Sequence, residues 1–208
     1  VHAFSSIETS GVKKGSIINI STTASSISEC LNDVEEQSGF KIKEIFVSIS
    51  GEELSSTNSI GQVAISEKEV SARDIEKALN MSSTMKIPYD KTLLYVMPNS
   101  YSIDGQGDIN DPLGMNGIKL EARSHLIHCS KNTKENIKKC VKASSPGIGI
   151  RKYYYNQLGV AHSVLTDFQK KQGVCVLDIG AGTTDISVYK NGFITFSKVL
   201  PYAGDYIT

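Results

Sequence analysis

A glycine-rich segment that follows an apolar run limits the possible folds of this chain more than any other feature. The apolar run covers residues 174–177, and the segment reads Asp178, Ile179, Gly180, Ala181, Gly182, Thr183, Thr184 and Asp185. Glycine has no Cβ atom, so Gly180 and Gly182 allow a tight turn and a close approach of the backbone to a ligand, and we expect a positive φ at Gly182. Consecutive backbone N–H groups in such a turn bind anions. The segment is therefore predicted to be a phosphate-binding turn at the end of a buried strand.

Two acidic residues at the ends of the segment predict a metal ion as well. A bare phosphate group would be repelled by Asp178 and Asp185, and Mg²⁺ between these carboxylates and the phosphate removes the repulsion. We expect Asp178 to hold Mg²⁺ through water, and the hydroxyl groups of Thr183 and Thr184 to donate to phosphate. The predicted binding residues are Asp178, Gly180, Ala181, Gly182, Thr183, Thr184 and Asp185.

The residues after the segment exclude two other glycine-rich phosphate motifs. A Walker A loop ends in Gly-Lys-Ser/Thr, and a dinucleotide-binding motif needs a third glycine and a following helix. Here no lysine is present, residues 186–189 and 193–199 alternate like strands, and Asn191-Gly192 between them is a typical hairpin turn. This order resembles the second phosphate-binding element of the actin and DnaK superfamily, which implies ATP as the ligand.

The composition is that of an ordinary globular protein and excludes several functions. Lys+Arg and Asp+Glu both number 22 in 208 residues, so no overall positive field is available to bind nucleic acid. No apolar run approaches the roughly 18 residues of a membrane-spanning helix. The four cysteines form no Cys-x-x-Cys pair, which favours a reducing, cytoplasmic environment, and three of them are expected to be buried.

Periodicity and capping residues predict alternating strands and helices. In the first part of the chain, strands are expected at residues 1–7, 17–20 and 42–49. The helix between the last two is expected to be capped by Thr22 or Thr23 and to end at Gly39.

The middle of the chain has the pattern of a small α+β unit. Strands are expected at residues 60–65, 93–97 and 118–129, and a surface loop at 104–116. Pro98 is expected to stop the second of these strands, and Ser71 and Ser130 to cap two helices. Further on, helical spacing covers residues 158–165, and a helix is expected to begin at 206–208.

Further segments resemble successive landmarks of the FtsA family, the actin-like cell-division proteins of bacteria. They are residues 47–51, 61–66, 96–104, 110–117, 125–127, 163–166 and 199–205. The match runs over nearly the whole chain in the correct order, which a generic ATPase would not give. The resemblance implies an α/β chain with part of an actin/DnaK-like (ribonuclease H-like) ATPase fold and an inserted small α+β subdomain of the SHS2 type.

The same resemblance implies a division of the chain into four parts. Residues 1–50 are part of subdomain 1A, residues 51–143 are the inserted 1C subdomain, residues 144–173 return to 1A with the interdomain helix, and residues 174–208 start subdomain 2A. Because the chain begins at Val1 without an initiator Met, both ends are expected to be cuts through a longer protein.

The function implied by the resemblance is that of a division scaffold on the cytoplasmic face of the inner membrane. Such a protein binds ATP and Mg²⁺, associates with itself into filaments and links FtsZ to the membrane at the division site. Late divisome proteins such as FtsN are expected to bind residues 51–143. The FtsZ site and the C-terminal membrane-binding helix are expected outside this chain.

One position departs from the family pattern. Relatives often have Glu-Pro where this chain has Asn156-Gln157, and the acid orders the attacking water in relatives that hydrolyse ATP. An amide in that position predicts at most weak ATPase activity, and no catalytic residue is assigned. Two alternatives remain open, a PilM-like pilus-assembly protein and another actin-fold ATPase of the DnaK type, in which hydrolysis drives the function.

The spacing of His125 and His128 suggests a metal site. Residues three apart in a strand lie on opposite faces, so the two imidazoles cannot easily share one ion. They are predicted to be ordinary strand residues.

Overall fold

The computed structural model describes residues 1–84 and 87–206. The helices are α1 (Ile20–Ser38), α2 (Ala72–Thr84), α3 (Lys131–Ser144), α4 (Asn156–Val164) and α5 (Asp167–Gln172). The strands are β1 (Val12–Lys13), β2 (Ser16–Ile17), β3 (Glu44–Ile49), β4 (Ser55–Ala64), β5 (Lys91–Ile103), β6 (Gln106–Ile109), β7 (Lys119–Ser130), β8 (Gly149–Tyr155), β9 (Val174–Ile179), β10 (Thr184–Lys190) and β11 (Phe193–Leu200). Residues 204–206 form a 3-10 turn, and the rest of the helix expected there lies outside the described residues.

The strands form separate small sheets that meet around the middle of the molecule. Strand β3 pairs with β8 in parallel, and β9, β10 and β11 form an antiparallel sheet with β10 in its centre. The third sheet is antiparallel and has the order β4-β7-β5-β6. Helix α2 packs on one face of this sheet through Ala78, against Leu120 and Ala122, while β11 approaches the sheet through Ser197, which contacts His125.

The start of the chain differs from the prediction. Residues 1–9 form no strand, because none of the described strands pairs with this backbone and a strand needs such a partner. The expected strand at 17–20 is also wrong: β2 ends at Ile17 and α1 begins three residues later. Asn19, and not Thr22 or Thr23, caps α1, since its side chain accepts from the Thr22 N–H at 3.0 Å.

Other helices begin and end at the capping residues predicted from the sequence. Helix α1 ends at Gly39, which has a φ of 72° and is therefore in the left-handed region that glycine tolerates best. Ser71 and Asp74 bond reciprocally at the start of α2, and the Ser130 hydroxyl accepts from the Asn132 N–H at the start of α3. These caps were predicted from local sequence and are confirmed.

Pro98 does not stop its strand. Strand β5 continues to Ile103, and its register with β7 shifts between Pro98 and Ser100. A β-bulge is one of the few places where a strand accepts proline, because the missing N–H is then not needed in the ladder. The loop predicted at 104–116 is also shorter than expected, because β6 returns from a turn at Asp104-Gly105 and pairs with β5.

Strand β9 is covered on one face only. Val176 is buried, whereas Leu177 and Ile179 are 57% and 62% exposed. The apolar run was predicted to be a buried strand, but β9 is an edge strand and no described element covers its second face. Of the cysteines, Cys129 and Cys140 are buried, Cys30 is half-buried and Cys175 is exposed.

Candidate functional site

The predicted phosphate turn lies at the tip of the β9–β10 hairpin. Asp178 in β9 is the register partner of Asp185 in β10, so the two carboxylates start from neighbouring backbone positions. The hairpin continues through Asn191 and Gly192, whose φ values of 55° and 89° suit a primed two-residue turn, and β11 pairs back with β10. The order strand, glycine turn, strand, Asn-Gly turn and strand is therefore confirmed.

The turn is held by backbone contacts with residues 202–205. The Gly180 N–H donates to the Thr183 carbonyl at 3.0 Å, and the carbonyls of Gly180 and Ala181 accept from Gly204 and Asp205 at 3.1 and 2.9 Å. The backbone N–H groups of Ala181, Gly182 and Thr183 donate to no acceptor within residues 1–84 and 87–206. The turn thus holds three adjacent donors without an acceptor among the described residues, and successive N–H groups of a turn are a common anion-binding feature.

Two details of the turn differ from expectation. Neither Gly180 nor Gly182 has a positive φ, although one was expected at Gly182. A Cβ at 182 would lie 3.2 Å from Lys14 Cγ and 3.6 Å from Lys14 Cα, so a side chain there would press against the Lys14 side chain. In addition, the Thr184 hydroxyl donates to the Tyr202 carbonyl at 2.7 Å, so its proton is already used within the protein.

Asp178 is held by amides from the start of α4. Its Oδ2 accepts from Gln157 Nε2 at 3.1 Å and from Asn156 Nδ2 at 3.4 Å. Gln157 is completely buried, and its Oε1 accepts from the Ser187 hydroxyl of β10 at 3.3 Å. This chain of hydrogen bonds fixes the position of the Asp178 carboxylate relative to the hairpin.

Asp185 is the most perturbed acid of the site. It is 3% exposed, and its Oδ1 has no hydrogen-bond partner among the described residues. Burial, with the nearby Asp178 charge as the second cause, raises the pKa of Asp185 to about 6, while the Thr183 hydroxyl acts in the opposite direction. An unpartnered buried carboxylate oxygen is costly, and such perturbed acids are more frequent at functional sites than in ordinary cores.

These features fit a nucleotide phosphate with a hydrated metal ion. Within the described part of the chain, no group of three His, Cys, Asp or Glu residues could hold a metal by itself. Mg²⁺ keeps several waters and binds through one or two carboxylates plus phosphates, which Asp178 and Asp185 are placed to supply. His125, in contrast, bonds Asn58 at 2.6 Å and Ser197 at 2.9 Å.

Comparison with known proteins identifies the family that the sequence resembles. A family model, the SHS2 domain inserted in FTSA, matches residues 51–128. Cell division protein FtsA of Pseudomonas aeruginosa is 40% identical over 198 residues, which are 95% of this chain and 47% of that protein. The resemblance to FtsA is confirmed. The FtsA proteins of Escherichia coli K12 and of Buchnera aphidicola subsp. Schizaphis graminum are 33% and 36% identical over 95% and 97% of this chain.

The chain spans about half the length of these FtsA relatives, 47% to 48%. A solved structure, the PilM-PilN type IV pilus biogenesis complex, matches 95% of this chain and 53% of that chain with a TM-score of 0.62 and 12% identity. At that identity the likeness concerns the fold alone. The predicted fold, actin-like with an inserted SHS2 subdomain, is confirmed. In the described ranges, no helix has the length and apolarity needed to span a membrane.

Two residues of the site were assigned no binding role from the sequence. Lys14 comes from the β1–β2 turn and contacts Gly182, and Gln157 holds Asp178. Gln157 had a signal only as part of the Asn156-Gln157 pair, which departs from the family pattern. Lys14 had none, because its contact with the loop spans more than 160 residues of sequence.

Proposed function

We propose that this chain forms one wall of the nucleotide-binding cleft of an FtsA-type cell-division protein. Three adjacent N–H groups in the braced turn at residues 180–183 support the proposal most strongly, because they provide a preorganised site for phosphate oxygens. The binding residues are Asp178, Gly180, Ala181, Gly182, Thr183 and Asp185, with ATP as the ligand. Thr184 contributes by fixing the turn through Tyr202.

Asp178 and Asp185 have different roles in this proposal. Asp178 is half-buried and fixed by Gln157 and Asn156, so it orients the water shell of Mg²⁺. Asp185 is buried with an unpartnered oxygen, and a bound cation would favour its charged form. Asn156 occupies the position where many FtsA relatives have an acid, and an amide cannot accept a proton from water. ATP therefore acts as a conformational ligand, with at most weak hydrolysis.

The wider function follows the FtsA resemblance. The complete protein is a filament-forming scaffold that links FtsZ to the inner membrane and recruits late divisome proteins such as FtsN. It lies on the cytoplasmic face of the inner membrane at the division site. A PilM-like pilus-assembly protein is the second candidate, favoured by the fold match. Genes for FtsZ beside this one support the first candidate, and pilus genes there support the second.

The chain divides as FtsA does, into residues 1–50, 51–143, 144–173 and 174–208. The SHS2 match at residues 51–128 falls inside the proposed 1C subdomain. Helix α3 connects this subdomain to the first part, since the Cys140 thiol lies 3.7 Å from the Ile20 carbonyl of α1. The 1C sheet also bonds β11, where the Ser56 hydroxyl donates to the Ser197 carbonyl at 2.8 Å.

The metal role of Asp178 predicts a variant whose effect depends on Mg²⁺. In the complete gene product, Asp178→Asn removes the charge but keeps an oxygen that accepts from Gln157. We expect the Kd for ATP to rise roughly tenfold with Mg²⁺ present and to change little in EDTA. Isothermal titration calorimetry measures both values, and Asp167→Asn, an exposed acid in α5, is the matched control. Equal weakening with and without Mg²⁺ would show that Asp178 does not act through the metal.

A further inference from the structure

The phosphate turn has no positively charged side chain of its own. It contains two acids and no lysine or arginine between residues 178 and 185, although its proposed ligand carries several negative charges. Three N–H dipoles and a metal ion compensate part of this charge. A side-chain cation would have to come from elsewhere in the chain.

Lys14 is the cation that the fold brings to the turn. Its Cγ, Cα and backbone N are the three atoms nearest to the position where Gly182 would carry a Cβ, at 3.2, 3.6 and 3.8 Å. Its Nζ lies 3.0 Å from the Pro201 carbonyl and 3.5 Å from the Tyr206 hydroxyl, and 5.3 Å from the centre of the Tyr206 ring. Pro201 and Tyr206 flank the residues that brace the turn.

The backbone around Lys14 is fitted closely to this position. Lys14 has a φ of 50°, which is uncommon for a residue with a side chain. A Cβ on Gly15 would lie 2.6 Å from Gly51 Cα, and a Cβ on Gly51 would lie 2.8 Å from the Lys14 carbonyl oxygen. Glycine at 15 and 51 therefore lets the Lys14 turn pack against the end of β3, and Gly182 leaves the Lys14 side chain room beside the phosphate turn.

The partners of the Lys14 ammonium are all neutral. Among the described residues, Lys14 forms no ion pair, and its contacts are a carbonyl, a hydroxyl and an aromatic ring. A phosphate oxygen carries a formal negative charge, so it attracts the ammonium more strongly than the neutral carbonyl does. The ammonium can therefore leave the Pro201 carbonyl for a phosphate oxygen with a net gain.

We propose that Lys14 is a phosphate-binding residue of the nucleotide site, supplied across the cleft by the β1–β2 turn. This inference rests on the proposed nucleotide binding by the turn at residues 180–183. It names a ligand class, the charged phosphates of a nucleoside di- or triphosphate, and predicts that the nucleoside part is bound independently of Lys14.

The test compares Lys14→Met with Lys14→Arg in the complete gene product, with Lys13→Met as the control from the preceding residue, whose side chain is exposed. Calorimetry with MgATP, MgADP and adenosine gives the three affinities for each variant. We expect Lys14→Met to weaken MgATP binding roughly tenfold to 100-fold, to leave adenosine binding unchanged, and Lys14→Arg to restore most of the loss.

The outcomes separate this inference from the proposed function. If the parent binds MgATP and Lys14→Met binds it equally well, Lys14 is not a ligand although the nucleotide site stands. If Lys14→Met weakens ATP and adenosine by the same factor, Lys14 has only a structural role and the inference is wrong. A parent protein that binds no nucleotide would overturn the proposed function itself. Circular dichroism and the thermal midpoint without nucleotide show whether each variant is folded.

Discussion

Gly182→Val is expected to abolish measurable ATP binding by the complete gene product, with a loss of affinity of roughly 100-fold or more. A branched side chain at 182 fills the space through which the backbone approaches phosphate. It also meets Lys14 Cγ, which lies 3.2 Å from the Cβ position and would have to move. Titration with MgATP, followed by calorimetry or by the fluorescence of a labelled nucleotide, measures the effect.

Gly107→Val is the matched control for this substitution. Gly107 lies in β6, has no heavy atom within 4 Å of its Cβ position, and is at a strand position where valine is favoured. We expect this variant to bind MgATP like the parent. A Gly182→Val protein that is folded and binds MgATP with parental affinity would show that the turn at 180–183 is structural only.

Asp185→Asn is expected to stabilise the protein without nucleotide at neutral pH, by about 3 kcal/mol, because each unit of pKa shift corresponds to about 1.4 kcal/mol. Burial and Asp178 raise the folded-state pKa of Asp185 from 3.8 to about 6. Between these values the folded state binds more protons than the unfolded state, so its stability falls as pH rises. The cost is complete above about pH 6 and absent below the unfolded pKa.

Urea unfolding of parent and variant between pH 3.5 and 8 measures this effect as a difference in free energy of unfolding. His125, whose pKa burial lowers to about 4, destabilises both proteins as pH falls below its unfolded value and cancels in the difference. Asp167→Asn in α5 serves as the control with an exposed acid. If Asp185→Asn is less stable than the parent at pH 7.5, Asp185 has a partner that the structure does not show.

Local patterns predicted the parts of the site that short-range chemistry determines. The hairpin at 174–200 needs only an apolar strand, a glycine turn and Asn191-Gly192, and all three lie close together in sequence. The caps at Ser71 and Ser130 are likewise interactions over two or three residues. The resemblance to FtsA could also be stated from the order of its landmarks.

Contacts between distant segments were not predictable in the same way. Lys14 meets Gly182, and Gln157 meets both Asp178 and Ser187, only because the sheets assemble around them. The positive φ expected at Gly182 was wrong, and the closest neighbour of this position is the side chain of Lys14, a residue distant in sequence. Pro98 was misread for a related reason, since the bulge that accommodates it is a property of its pairing with β7.

Hydrogen exchange of the backbone amides at residues 181–183 tests the central claim most directly. It is measured by mass spectrometry on the complete gene product with and without saturating MgATP. The N–H groups of Ala181, Gly182 and Thr183 have no acceptor within the described residues, so we expect fast exchange that slows at least tenfold when phosphate oxygens accept from them. Residues 106–109 should exchange equally in both samples. If MgATP leaves the exchange of residues 181–183 unchanged, this turn does not bind the nucleotide.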